Sequence, residues 1–377
     1  MFNTLSFFLT YNSIWSLSHF ILSFYYILIF TLVLYLISNV KEFTNYTLFA
    51  NSAHFQLISG LEVVFLLLTT PLLILLINCT WTSPTLTAWF GHLLFGSLQF
   101  KINYLVVWVF CLILIVYSAS FYFSSQEVYD FMIVLYSFFI WIIFLFYSNN
   151  IFTVIFFIEI LSSLVTLLLI TSLFSSTYFY NNLNLNQHIY FTQSTPFAFL
   201  QTLMFFFWIS LISSLNLFLF LSIFYLKFLT FDWFIMEAVF YFIVSVSDLK
   251  SLFTTSLTWF NFLFCIFLKC GLVPFFFWKP TFFKGITLHA LFFYVTFFYF
   301  FLFLFFIYFL LVYLSELFYF NIFVNFIIIL VGLILLVFIL CESYYIKAFL
   351  AMSSILNTLF VFLAMSSYSI VDYVFLL

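Results

Sequence analysis

The sequence predicts an all-α polytopic membrane protein with about ten transmembrane helices. Three observations carry that prediction. The chain of 377 residues is 68% hydrophobic and 5% charged. Runs of about eighteen or more apolar residues, long enough to cross a bilayer, recur along its whole length. The polar breaks between those runs are short, and none has the composition of a soluble domain.

Taking roughly 20 apolar residues per span, the helices fall in order near 16–38, 57–78, 104–124, 130–148, 151–174, 196–226, 253–278, 287–313, 319–341 and 346–366. "SNVKEFTNYT" closes the first and "TWTSPTLTAW" the second. The Asn-rich "YNNLNLNQHIYFTQSTP" separates the fifth from the sixth. Before the seventh, "FDWFIMEAVFYFIVSVSDLKS" mixes polar and apolar residues and reads as a segment lying in the interface. After the tenth, "SYSIVDYVFLL" resembles the start of a further span too short to cross.

With 69 Phe, 25 Tyr, 6 Gly, 5 Pro and no Arg, the composition follows the codon usage of an AT-rich genome better than a structural demand. This suggests an organelle gene. The N-terminal "MFNTLSFFLTYNSIW" lacks the Arg-rich amphipathic pattern of a transit peptide, so synthesis inside a mitochondrion is the expectation.

The net charge of −3 is thinly spread, with no basic run, which argues against a nucleic-acid partner. Cys265 and Cys270 are five residues apart, a spacing that suits neither a metal nor a redox pair; inert buried thiols are expected. With no Gly-rich phosphate loop and no cysteine cluster, no cofactor or metal is expected in this chain.

Charges near the centre of a bilayer are costly and default to a functional reading. Glu159, in "IFTVIFFIEILSSLVTLLLI", lies eight residues into its span, roughly 12 Å at 1.5 Å per residue. Lys269, in "CIFLKCGLVPFFFWKPTFF", lies 12 residues beyond Leu257, roughly 18 Å in. Glu62 is five residues into its span and Lys227 ends another. Lys41, Lys101, Lys250, Lys279 and Lys284 lie in or beside breaks, where snorkelling to the headgroups accounts for them. Pro274 has no N–H to serve the carbonyl of Cys270, so the seventh helix breaks there. Such a break needs protein or water to satisfy the freed groups, which gives Lys269 polar company. The bland alternative is a buried ion pair that merely fastens two helices.

"LKCGLVPFFFWKPTFFKGI" resembles the signature of the antiporter-like membrane subunits of respiratory complex I, in which a lysine precedes a Pro-Phe-His-x-Trp-x-Pro pattern. "PFFFWKP" followed by "KGI" is most similar to the subunit 2 branch of that family. "FFIEILSSL" resembles its glutamate helix, and "YYIKAFLAMSSILNTLFVFLA" resembles a later conserved helix. The three motifs cover residues from about 150 to 366.

The resemblance implies an antiporter-like fold with a broken helix near Pro274, in which Glu159 and Lys269 form a proton half-channel. It implies a subunit of an H+-translocating NADH:ubiquinone reductase, with other complex I membrane subunits and the lipid bilayer around it and the redox sites in partners. Residues 1–150 would be N-terminal transmembrane helices; 151–377 would carry the Glu/Lys pair. Burial disfavours the charged form of each group while each ion stabilises the other, so their separation would decide whether the lysine keeps its proton.

The match fails at several places. Relatives carry a second lysine about thirty residues after the first, where this chain has Tyr299. Tyrosine does not readily ionise in lipid but can pass a proton through hydrogen bonds. His289 on the same helix is a second candidate relay, weighed against a satisfied interhelical hydrogen bond. Lys347 matches a family lysine at a helix end and is a third candidate. Asn357 replaces the usual histidine, Met352 a tyrosine and Gln201 a lysine. Relatives also continue through further helices, so a split gene with a second polypeptide supplying the remainder is expected. A structural scaffold and a stand-alone cation/proton antiporter are the alternative functions.

Overall fold

The computed structural model describes residues 55–56, 85–88, 91–120, 122–123, 127–182, 196–232, 235, 238, 242, 249–272, 275–312, 322–341 and 346–365. The chain divides into two compact units. One runs through Asn149 and includes Phe174–Asn184; the other holds Asn150–Leu173 and continues from Leu185.

In the first unit, α1 (Ser97–Ser120) packs against α2 (Glu127–Tyr147). Phe110 stacks on Phe139 at 4.6 Å, and Tyr117 meets Phe131 edge-on at 5.7 Å. These ring contacts lie among fully buried side chains such as Leu135, Phe138 and Ile142. Two short antiparallel ladders accompany the helices. β1 (Phe55–Gln56) pairs with β4 (Tyr122–Phe123), and β2 (Thr85–Ala88) pairs with β3 (Leu93–Gly96). The break expected at "TWTSPTLTAW" is therefore one arm of a hairpin. Its alternating Thr-Leu-Thr-Ala suits a strand, and Gly91 at φ +88° makes the turn, a conformation that other L residues rarely adopt.

The second unit is built from α3 (Ile151–Asn182), α4 (Pro196–Phe228), α5 (Leu249–Cys270), the short α6 (Trp278–Gly285), α7 (Leu288–Phe293), a π-helical turn (Tyr294–Tyr299), α8 (Phe300–Val312), α9 (Ile322–Cys341) and α10 (Ile346–Met365). Thr153, in the first turn of α3, accepts from the N–H of Asn150 at 3.3 Å, one half of a capping box. In a helix surrounded by apolar groups, hydroxyls are satisfied by their own backbone. Thr202, Ser213 and Thr258 accordingly donate to carbonyls three residues back. The core gathers around α6, which packs against both α4 and α10. There Phe206 meets Trp278 and Phe282, and Phe282 meets Tyr294 at 4.8 Å.

Among the described residues, four helical stretches are long and apolar enough to cross a membrane: Ile151–Ser172, Phe199–Leu226, Phe253–Cys270 and Leu288–Phe309. This is the make-up of an α-helical membrane protein. The spans expected at 16–38 and 57–78 lie outside the described residues, as do Lys41, Glu62 and the side chains of Lys101, Lys227 and Lys250.

The seventh expected span, 253–278, is not one helix. α5 ends at Cys270, and Gly271 takes φ +63°. The N–H of Leu272 donates to Phe267 O at 2.8 Å and that of Gly271 to Leu268 O at 3.4 Å. This pair of bonds is a Schellman motif, in which a glycine just past the helix satisfies its last carbonyls. The helix thus stops at Gly271, three residues before the proline expected to break it; Pro274 itself lies outside the described residues.

Candidate functional site

α3 and α5 bring the two expected charges together. Lys269 Nζ donates to Glu159 Oε1 at 2.6 Å, across 110 residues of chain. The lysine side chain is 8% exposed and the carboxylate 24%. Ser162, one turn further along α3, donates to the Glu159 backbone carbonyl at 2.8 Å and lies 3.4 Å from its Oε2. Lys269 stands in the last turn of α5, where the negative end of the helix dipole favours a cation. Leu268 O there also accepts from Trp278 Nε1 at 3.0 Å, so the indole of α6 caps α5. The thiol of Cys265, one turn before the lysine, lies within electrostatic range of both charges.

Lys279 corrects an expectation. It does not snorkel to a headgroup: the side chain is 0% exposed and is among the largest fully buried ones of the described residues. Its Nζ lies 3.6 Å from the centroid of the Tyr299 ring and has no hydrogen-bond partner among them. The stem of Lys279 lies against Gly271, where an added Cβ would stand 3.2 Å from its Cβ and Cδ. Lys284, five residues on, is exposed. Five residues turn a helix by about 140°, so one lysine facing out leaves the other facing in. That spacing was the signal in the sequence.

The candidate relays fall in two places. Tyr299 is buried beside Lys279, with the Thr358 hydroxyl, which donates to Ile355 O, next to its own. The π turn sets its direction. Tyr294 and Tyr299 stack 28° from parallel at 6.3 Å, whereas an α-helix would place residues five apart about 140° round. His289 Nε2 lies 3.4 Å from Thr287 Oγ1, a contact two residues away in the chain. Lys347 Nζ donates to Ile286 O at 2.8 Å and ties α10 to the link between α6 and α7. It thus has a structural bond within the protein rather than a free position at the surface. Asn357 and Gln201 are exposed, and Met352 is buried.

The arrangement has two parts: a carboxylate–ammonium pair joining two membrane helices, and a buried unpaired lysine beyond the helix break. Cys270 lies within electrostatic range of both lysines. Such a set can hold protons and exchange them. No protein-family model matches the chain, and no curated protein matches it.

Proposed function

We propose that the chain is a proton-translocating subunit in the membrane arm of NADH:ubiquinone oxidoreductase, respiratory complex I, in the mitochondrial inner membrane. In this reading it has an antiporter-like fold of about ten transmembrane helices and works beside other membrane subunits of the complex. Electron transfer and its cofactors belong to those partners. The observation that carries the reading is the 2.6 Å pair of Glu159 and Lys269 beside an unwound helix link. The three motifs that resemble the family, in the family's order, support it.

The mechanism is electrostatic. With the pair closed, the carboxylate holds the proton on Lys269. Moving Glu159 away removes that support, and an isolated ammonium in a poorly solvated site gives up its proton. A change elsewhere in the complex that opens and closes the pair would thereby load and unload one proton per cycle.

Lys269→Met keeps the length and the packing of the side chain and removes the proton carrier. Protons translocated per NADH oxidised in sealed membrane vesicles should fall below about a tenth of the wild-type value, with the chain still present in the particle. A normal ratio would sink the reading. The second reading, a non-pumping scaffold, is favoured by Tyr299 at the register where a second lysine was expected and by the exposed Asn357. It predicts the same ratio in wild type and Lys269→Met.

A further inference from the structure

The fully buried Lys279 is absorbed neither by the ion pair nor by the packing. A lysine with no acceptor is a costly occupant of a protein interior, and burial without a partner calls for a reason. Two features place it. Gly271, at φ +63°, leaves room for its stem, and a Cβ there would crowd both Lys279 and Trp278, the latter at 3.1 Å. The π turn aims the Tyr299 ring at its Nζ. The helix end, the turn and the ring all serve one amine.

We infer that Lys279, held over Tyr299, is a second proton-exchanging group that takes the proton released by Lys269. This rests on the proton-translocating reading above. The transfer breaks an N–H bond of the Lys269 ammonium and forms one on the neutral amine of Lys279. Lys269 is left neutral, and the charge moves past Cys270 to the next segment. Lys279 Nζ, with no hydrogen-bond partner among the described residues, and the Tyr299 hydroxyl offer the polar contacts that a bridging water needs. The face of the tyrosine ring stabilises the arriving cation without being a counter-ion, so the site can pass the charge on. Tyr299 positions; Lys279 carries.

The test separates a proton carrier from a structural cation. Lys279→Arg keeps a cation that stacks on an aromatic ring, but a guanidinium does not deprotonate in proteins. The full chain is assembled in its membrane, and NADH-driven proton translocation is measured per NADH oxidised, with the amount of chain in the particle as control. The inference expects Lys279→Arg to lower the ratio about tenfold or more. A ratio within about twofold of wild type overturns it, since arginine would then serve as well as lysine. Where Lys279→Arg accumulates poorly, Lys279→Met decides: a similar loss supports the inference and full translocation overturns it. Lys269→Met is measured in parallel. If it abolishes translocation while the Lys279 variants do not, only the second group is refuted. If it has no effect, the proton-translocating reading itself fails.

Discussion

At the residue scale, Gly271 decides more than its size suggests. It ends α5, supplies the left-handed step of the Schellman motif and leaves space for the Lys279 stem. An alanine there would face a conformation costing about 1–2 kcal/mol and contacts of 3.1 and 3.2 Å. Gly271→Ala should destabilise the protein by roughly 1–3 kcal/mol, read as a lower thermal midpoint in detergent against wild type. An unchanged midpoint would show that the link accommodates a side chain. Proline drew the attention in the sequence because it removes a donor outright. A glycine ends a helix only through the bonds that form around it, and those depend on Trp278 and Leu272 folding back.

At the element scale, the pairing of α3 with α5 was legible because a charge within a membrane span has few ways to be satisfied. Two opposite charges deep in two spans all but name each other as partners. Among the described residues several helix boundaries follow apolar run length, but the expected span 253–278 ends at Cys270, and α3 continues to Asn182, beyond the expected 174. Its polar last turns keep their helical hydrogen bonds after apolarity has faded. Lys279 was misjudged for a physical reason. A lysine between Trp278 and Pro280 looks interfacial, and only the three-dimensional return of α6 against α4 and α10 encloses it. The ion pair itself makes a prediction about these elements. Removing one partner from a fully buried pair costs about 3–5 kcal/mol, and less here, where the carboxylate is partly exposed. Glu159→Gln and Lys269→Met should each destabilise the protein. The double variant should recover about 1–3 kcal/mol relative to their sum. A double-mutant cycle of unfolding in detergent checks this, and strict additivity would mean that the two charges do not interact.

At the scale of the whole molecule, burial sorts the helices of the second unit by environment. α4 presents large apolar side chains outward, among them Leu200, Phe205, Trp208 and Leu215, and α9 does so with Ile334 and Phe338. The stretch Leu288–Phe309, which carries Tyr299, is mostly enclosed. Exposed apolar surface of this extent fits hydrocarbon rather than water. The chain should therefore stay in the membrane pellet through an alkaline carbonate wash; release into the supernatant would contradict a spanning arrangement. Composition alone made this membrane class readable. The short β ladders were not readable, because apolar run length says little about paired strands of two to four residues.

The π turn at Tyr294–Tyr299 also has a meaning for heredity. A π turn is an α-helix holding one residue more than its ladder needs. Losing a single codon anywhere within it would keep the reading frame, the hydrophobicity and the helix. It would also turn the i→i+5 bonds back into i→i+4 bonds and leave the segments on either side in their present register, with Tyr299 still facing Lys279. A lineage could therefore gain or lose this turn by a single in-frame codon without disconnecting the two.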